Sequence, residues 1–260
     1  MALSYNNKLK IYNYPAYYSI AFDFVDIAQQ IKIFTRFIKK FSKIKVKRVL
    51  DLGAGPGKQS LAFARKGYEV IALDQSTRMI EYLKKRADEG KARLAIHKNN
   101  FISFSLPKKV DFAFMLMGTI SHIKSNAEFL KHLDSVAKSL RSGGLYLIEN
   151  VILTGNASDL FKTQRWSMAK KGVVVETSFL LRPVDVLKQL VEENITFKIK
   201  EKNHSQIIKS STISKIIFPQ EFVELVRMNG NFEFVGWFEN QSTKRLTRAK
   251  NKNFVLLRKK

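Results

Sequence analysis

The chain contains no cysteine, which excludes disulfides, thiolate metal sites and any chemistry that needs a cysteine nucleophile. No apolar run approaches the roughly 20 residues that cross a bilayer, so no membrane span is expected. The start, Met1-Ala2-Leu3-Ser4-Tyr5, has no apolar stretch leading to a small-residue cleavage site; no secretory signal is expected, and the setting reads as cytoplasmic. Internal repeats and low-complexity linkers are also absent. Acidic residues are scarce: 22 Asp and Glu stand against 46 Lys and Arg, a formal charge of +24. Such an excess favours polyanions, including RNA, DNA and anionic surfaces. An AT-rich coding sequence would enrich Lys, Ile, Asn and Phe together, but it does not explain why Lys so exceeds Glu. The remaining composition, 45% apolar and 26% charged, is that of a globular protein. Its length allows one large domain or a domain with a cap.

The apolar spacing of Phe24, Ile27, Ala28, Ile31, Phe34, Ile38 and Phe41 predicts one face of a helix within residues 22–41. A β-rich run, Val46–Leu52, then enters a glycine turn, a helix over Gln59–Lys66 and a second strand over Glu69–Leu73, a β-α-β unit with parallel strands. Alternation continues with a helix over Ser76–Glu89 (Ser76 as N-cap, Gly90 as stop) and a strand over Arg93–His97. A doubly buried strand follows over Val110–Met117, then a helix over Asn126–Leu140 and a strand over Leu145–Ile152. After residue 151 the pattern changes. Gly172–Leu181, Asn194–Lys200 and Gln206–Phe218 read as antiparallel strands, followed by a helix over Pro219–Met228 and last strands over Phe232–Phe238 and Asn253–Arg258. The expected fold is α/β: a doubly wound, Rossmann-like sheet of seven strands with an antiparallel β cap inserted after strand five. The expected division is an N-terminal lid and helix over 1–45, a ligand-binding α/β domain over 46–150 and 219–260, and the cap over 151–218.

The chemistry concentrates in Asp51-Leu52-Gly53-Ala54-Gly55-Pro56-Gly57 at the end of the first strand. Glycines there let the backbone turn tightly and approach a ligand. A dinucleotide pyrophosphate prefers G-x-G-x-x-G, but the third glycine position is Lys58, and Asp51 would repel phosphate. S-adenosylmethionine carries an ammonium and a sulfonium and no phosphate, so a carboxylate beside the turn suits it. Asp74 closes the second strand, where a carboxylate accepts ribose hydroxyl hydrogens; a helix-capping role is its structural alternative.

Val49–Asp74 resembles the first two motifs of class I S-adenosylmethionine-dependent methyltransferases. Tyr17-Tyr18-Ser19-Ile20-Ala21-Phe22 is similar to the Tyr-Tyr-Asp-Ile-Ala-Phe opening of small prokaryotic members, in which an aromatic lid closes over the cofactor; Ser19 stands where they have Asp. Phe218-Pro219-Gln220-Glu221-Phe222 with Asn229-Gly230-Asn231-Phe232 resembles their late segment. The order of parts, with a β insertion after strand five, is similar to glycine and sugar-amine N-methyltransferases. The resemblance covers roughly 15–150 well and 215–258 loosely, and the cap matches no named pattern. It implies S-adenosylmethionine as cofactor, contacted by Tyr18, Asp51, Gly53, Ala54, Gly55, Gly57, Asp74, Gln75, Met79, Asn100, Phe101 and Met117. Asn100 departs from the acidic residue common after strand three, and Phe101 is placed to pack on the adenine or in the core. No metal set is assigned.

Methyl transfer is an in-line displacement served by positioning and by exclusion of water. A hydroxyl or ammonium acceptor needs a base, and His122, after strand four, is the candidate. His97 and His132 read as structural, and His204 lies in a polar part of the cap. The segment after strand four lacks the Asn/Asp-Pro-Pro-aromatic signature of base-amine methylation, and the lack of cysteine excludes covalent cytosine C5 methylation. The expected activity is methyl transfer to N or O of a small-molecule acceptor. An RNA methyltransferase using the basic surface, a catalytically silent nucleic-acid-binding protein of the same fold, and a dehydrogenase (disfavoured by Lys58) are the alternatives. Oligomeric state is not legible.

Overall fold

The computed structural model describes residues 10–149, 161–202, 204–240, 242–247 and 252–260. A 3-10 turn (Lys10–Asn13) and helix α1 (Pro15–Ala21) lead to α2 (Ile27–Phe41). Then come β1 (Arg48–Leu52), α3 (Lys58–Arg65), β2 (Glu69–Asp74), α4 (Thr77–Glu89), β3 (Ala95–Lys98), β4 (Val110–Met115), α5 (Asn126–Ser139) and β5 (Leu140–Glu149). Four strands follow, β6 (Gln164–Lys170), β7 (Val173–Asp185), β8 (Leu190–Glu201) and β9 (His204–Lys215), and the chain ends with α6 (Pro219–Asn229), β10 (Phe232–Glu239) and β11 (Asn253–Lys259).

Among the described residues the first sheet has seven strands in the order β10-β11-β5-β4-β1-β2-β3, and β6-β7-β8-β9 form a separate antiparallel sheet. Strands β1 to β5 pair in parallel, whereas β11 runs antiparallel to both β5 and β10. This is the doubly wound sheet with an antiparallel insertion after strand five. Side chains alternate across the central strands. Val49, Phe112 and Phe114 meet Ile31, Phe34 and Phe37 of α2 on one face. Leu50, Leu52, Ala113 and Met115 meet Phe129, Leu133 and Val136 of α5 and Phe222 of α6 on the other. Every residue of β4 is buried, as a strand covered on both faces requires. Its one charge, Asp111, accepts the N–H groups of Lys47 (2.8 Å) and Arg48 (2.9 Å) and pairs with Arg141 (3.0 Å). That satisfies a group whose unpaired burial would cost several kcal/mol (about 3–5).

Several boundaries differ from the sequence reading. Helix α2 begins at Ile27 because Asp26 caps it, accepting the Gln29 N–H (2.9 Å). Phe24 precedes that cap in a loop, Ala28 is exposed, and Gln30, Ile31, Ile33, Phe34 and Phe37 form the buried face. Helix α1 was not read from periodicity, being only seven residues long. Strand β5 starts at Leu140 instead of Leu145, since Leu140 pairs with Val110 of β4 and Arg141–Gly144 bulge out before pairing resumes at Leu145 opposite Phe112; the expected end at residues 150–152 lies outside the described residues. The cap has a fourth strand, Gln164–Lys170, and β7 and β8 are longer than expected, meeting at a hairpin near Asp185 and Leu190. The beginning of the expected lid (1–9) and of the cap (151–160) also lies outside the described residues.

Basic residues of two stretches, 39–48 and 258–260, meet away from the glycine loop. The Arg258 guanidinium donates to the Phe41 carbonyl (2.9 Å) and pairs with Glu233 (2.6 Å), which Lys43 and Lys260 also face. Lys43, Lys45, Lys47 and Arg48 precede or begin β1, and Arg258 lies opposite Leu145 in the β11–β5 register. These residues therefore sit at the amino end of the parallel strands, opposite Gly53–Gly57, whereas Lys244, Arg245 and Lys252 lie at the other end, beside Trp237–Glu239 and Asn253. Arg248 and Lys250 lie outside the described residues.

His132 is fully buried in α5, with Nδ1 2.7 Å from the Phe101 carbonyl and Nε2 2.8 Å from the Tyr146 hydroxyl. Burial lowers its pKa from 6.5 to about 4, opposed by the Phe101 carbonyl. The unfolded chain therefore takes up the proton first as pH falls, so stability rises with pH across this window. We expect a loss of stability on the order of 3 kcal/mol between about pH 6.5 and pH 4 from this residue. Urea denaturation at a series of pH values should show a correspondingly flatter profile for His132→Gln.

Candidate functional site

At the carboxyl end of β1 the chain turns through Gly53 (φ +73°), Gly55 (φ +53°) and Gly57 (φ +71°). Gly53 and Ala54 both donate N–H to the Leu73 carbonyl (2.9 Å each), which pins the turn to β2. A Cβ at Gly57 would collide with the Leu83 side chain of α4, and one at Gly53 would lie 2.8 Å from Thr119 Cγ2. A Cβ at Gly55 meets nothing within 4 Å. Gly53 and Gly57 are thus required by close packing, whereas Gly55 opens onto free space.

Asp74 ties this loop down. Its Oδ2 accepts the Gly55 N–H and its Oδ1 the Ser76 N–H, both at 2.8 Å. The cap of α4 is Ser76, whose hydroxyl accepts the Met79 N–H (3.3 Å), so Asp74 does not serve as that helix's N-cap. Burial raises the Asp74 pKa, opposed by its backbone donors. Asp51 is buried and accepts a 2.6 Å hydrogen bond from the Ser60 hydroxyl. Burial pushes it up to about 7, with Asp74 adding to the rise and Ser60 opposing it. Two carboxylates held above their ordinary range are relieved by a nearby cation. A pyrophosphate, by contrast, would find the Gly55 N–H already engaged. This donor set fits a cationic ligand with hydroxyls, as S-adenosylmethionine is, and does not fit a dinucleotide.

Two cavities flank the loop. The smaller, about 70 Å³, is lined by Asp51, Gly53–Pro56, Lys58, Tyr18 and Met117 among others. The larger, about 810 Å³, lies between the first sheet and the cap, and it also touches Tyr18, Met117 and Thr119. Met117 is held at φ +55°; its N–H donates to Glu149 (2.9 Å), itself anchored by Asn240 (2.6 Å). The other expected contacts are dispersed. Met79 is buried, and Gln75 and Asn100 are exposed. The Asn100 amide oxygen accepts the Ile102 N–H (2.7 Å), so it is already used in a local turn. Phe101 packs in the core, edge-on to His132, and lines neither cavity. His97 is exposed on β3 and His204 begins β9.

His122 lies on the wall of the larger cavity. Its Nε2 is 3.3 Å from the Tyr12 hydroxyl and its Nδ1 3.5 Å from the Ser214 hydroxyl, which donates in turn to Glu193 (3.3 Å). Burial raises the pKa values of Tyr12 and Tyr18, keeping both hydroxyls protonated. Tyr12, Ser214 and Glu193 were not singled out from sequence. The signal for Glu193 is present, however: Val191, Glu193, Ile195, Phe197 and Ile199 alternate along β8, placing an acid in a run of inward apolar positions.

Residues 10–24 cover the loop from the cap side. Ile11 and Ala21 pack with Val175, Ile195, Phe197 and Ile208 of the cap, and the Trp166 indole donates to the Ala21 carbonyl (2.7 Å). Lys58, the first residue of α3, donates to the Ser19 carbonyl (2.8 Å) and pairs with Asp23 (2.7 Å), which also pairs with Lys170 of β6 (2.8 Å).

Residues 49–144 match the family model of a methyltransferase domain. The ubiquinone biosynthesis O-methyltransferase of Rhodopseudomonas palustris is 32% identical over 106 residues, 40% of this chain and 41% of that protein. The chain thus spans about two-fifths of the length of the curated relatives it matches. A solved S-adenosylmethionine-dependent methyltransferase from Clostridium acetobutylicum superposes with a TM-score of 0.79 at 13% identity, covering 94% of this chain and 96% of that one. CalS10, an amino pentose methyltransferase from Micromonospora echinaspora solved with S-adenosylmethionine, superposes at 0.69 with 13% identity, over 90% and 91% of the two chains. The fold of the whole chain, insertion included, is that of the class I S-adenosylmethionine-dependent methyltransferases.

The glycine geometry of the loop separates two effects. Gly55→Ala should cost about 1 kcal/mol of stability, the backbone penalty of a positive φ. Gly57→Ala should cost more, roughly 2–4 kcal/mol, because Leu83 must also move. Chemical denaturation of the two variants checks the order, and equal costs would contradict the packing argument.

Proposed function

We propose that the protein is a cytoplasmic enzyme that transfers a methyl group from S-adenosylmethionine to a nitrogen or oxygen atom of a small-molecule acceptor. The observation that carries this reading is the cavity of about 810 Å³ that adjoins the glycine loop at Tyr18, Met117 and Thr119. Small-molecule sites are commonly concave spaces of about 300–1,000 Å³ with a few polar groups in an apolar wall. Asp51, Gly53, Ala54, Gly55, Gly57 and Asp74 would hold the cofactor, with Tyr18 and Met117 between cofactor and acceptor. When bound, the cofactor supplies a methyl carbon already activated by positive sulfur. The chain's own part is to hold the acceptor in line with that carbon and to exclude water. In this reading residues 1–45 act as a lid, 46–150 with 219–260 as the cofactor domain, and 151–218 as the acceptor-side cap. His122 stands as the group that takes a proton from a hydroxyl or ammonium acceptor.

An RNA acceptor is the second reading, motivated by the charge of +24. Lys43, Arg258 and Lys260 lie at the amino end of the strands and Lys244, Arg245 and Lys252 at the carboxyl end, and this division between opposite ends favours the small molecule over a polyanion held on one continuous face. No helix among the described residues is long and apolar enough to cross a membrane.

Calorimetry should give micromolar binding of S-adenosylmethionine or S-adenosylhomocysteine and no comparable binding of NAD. Asp74→Ala should weaken that binding by about 1.5–3 kcal/mol, the contribution of charge-assisted hydrogen bonds. Tight NAD binding without sulfonium binding would refute the proposal. Labelled methyl groups offered to a small-molecule extract and to total RNA should appear in the extract alone.

A further inference from the structure

The exterior of this protein is strongly basic, yet the larger cavity carries carboxylates. Asp26, Glu149 and Glu193 line it, together with Lys215 and Lys252. The lysines do not neutralise Glu193. Lys215 is engaged by Glu221 (3.2 Å) and Gln189 (2.7 Å), and Lys252 acts on Glu149. Glu149 is itself committed to Met117 and Asn240. Glu193 differs: among the described residues it forms no ion pair, and its hydrogen bond comes from the neutral Ser214 hydroxyl.

Its position in the cap makes this unusual. Glu193 occupies an inward position of β8 between Val191 and Ile195, and it faces Tyr12, Tyr18, His122 and Ser214. Burial raises its carboxyl above the ordinary range, with His122 and the Ser214 hydroxyl opposing the rise. Around this pole the wall is apolar: Trp166, Met168, Phe179, Leu181, Ile195 and Ile217. A carboxylate set in an apolar wall is costly without a partner, and every neighbour named above supplies at most a neutral donor or a histidine. A ligand cation would meet that need.

We propose that Glu193 is the specificity-determining residue of an acceptor subsite that takes a cationic nitrogen on an otherwise apolar body, with the Tyr12, Tyr18 and Ser214 hydroxyls surrounding the same pole. The inference rests on the proposed function, because it assigns the larger cavity to the acceptor. It narrows that reading from any nitrogen or oxygen nucleophile to a lipophilic amine, and it argues against anionic acceptors such as carboxylates and phosphorylated compounds.

Calorimetric titration of the full chain with phenethylamine, 2-phenylethanol and 3-phenylpropionate tests this, since the three share a body and differ in charge. Each titration is run with and without saturating S-adenosylhomocysteine. At pH 7 the amine should bind at least tenfold more tightly than the alcohol, and the carboxylate should bind most weakly. Glu193→Gln, which keeps the shape of the side chain, should bring the amine down to the affinity of the alcohol and leave S-adenosylhomocysteine binding within twofold. Equal affinities for the three probes, preference for 3-phenylpropionate, undetectable phenethylamine binding, or an unchanged amine preference in Glu193→Gln would each overturn the assignment. Failure of S-adenosylhomocysteine to bind while the amine preference persists would instead overturn the cofactor reading and leave the subsite standing.

Discussion

The carboxylate of Asp74 holds the two halves of the β-α-β unit together at the point where they must form a site. By accepting N–H groups from Gly55 and from Ser76 (2.8 Å each), it joins the glycine turn after β1 to the start of α4. That one side chain sets the height of the loop above the sheet and consumes a donor that a phosphate would otherwise use. The close approach of Leu83 to Gly57 and of Thr119 to Gly53 follows from a loop held in that place. The loop therefore presents carboxylates and free space at Gly55, an environment selective for cations over anions before any ligand arrives.

The second organising feature is the way three separate parts of the chain close around the larger cavity. Asp23 pairs with Lys58 of α3 and with Lys170 of the cap. Trp166 holds the end of α1, and Tyr12, His122 and Ser214 bring lid, sheet and cap within hydrogen-bonding distance. The half-exposed Lys170–Asp23 pair is worth little alone, about 0–1 kcal/mol. The effect of these contacts is better understood as registration, because the apolar packing of Ile11 and Ala21 against the cap supplies the adhesion and the polar contacts choose its geometry.

Charge is partitioned between surface and interior. Lys43, Arg258 and Lys260 gather around Glu233 at the amino end of the strands, while the acidic residues with raised pKa values, Asp51, Asp74, Glu149 and Glu193, lie at the carboxyl end or in the cap. Net charge describes what the protein meets in solution. It does not describe what the cavity selects.

Local pattern was enough for the α/β alternation, the glycine turn and the position of Asp74, because each depends on residues near one another in the chain. The buried β4 run and the Ser76 cap are legible for the same reason, since doubly covered strands and capping hydroxyls carry their signature in a few residues, although β4 ends at Met115 and not at Met117. The short α1, the early start of β5 and the β6 strand were not legible, since seven residues give no secure period and the Arg-Ser-Gly-Gly bulge looks like the turn that ends a helix, although Leu140 before it already pairs with β4. The role of Phe101 was open in sequence, and the packing of His132 decided it. Tertiary structure alone brought Tyr12, His122, Glu193 and Ser214 to one wall. Those four come from a terminal turn, a loop after β4 and two strands of an inserted sheet, and no spacing rule relates residues whose proximity is created by the docking of one sheet onto another.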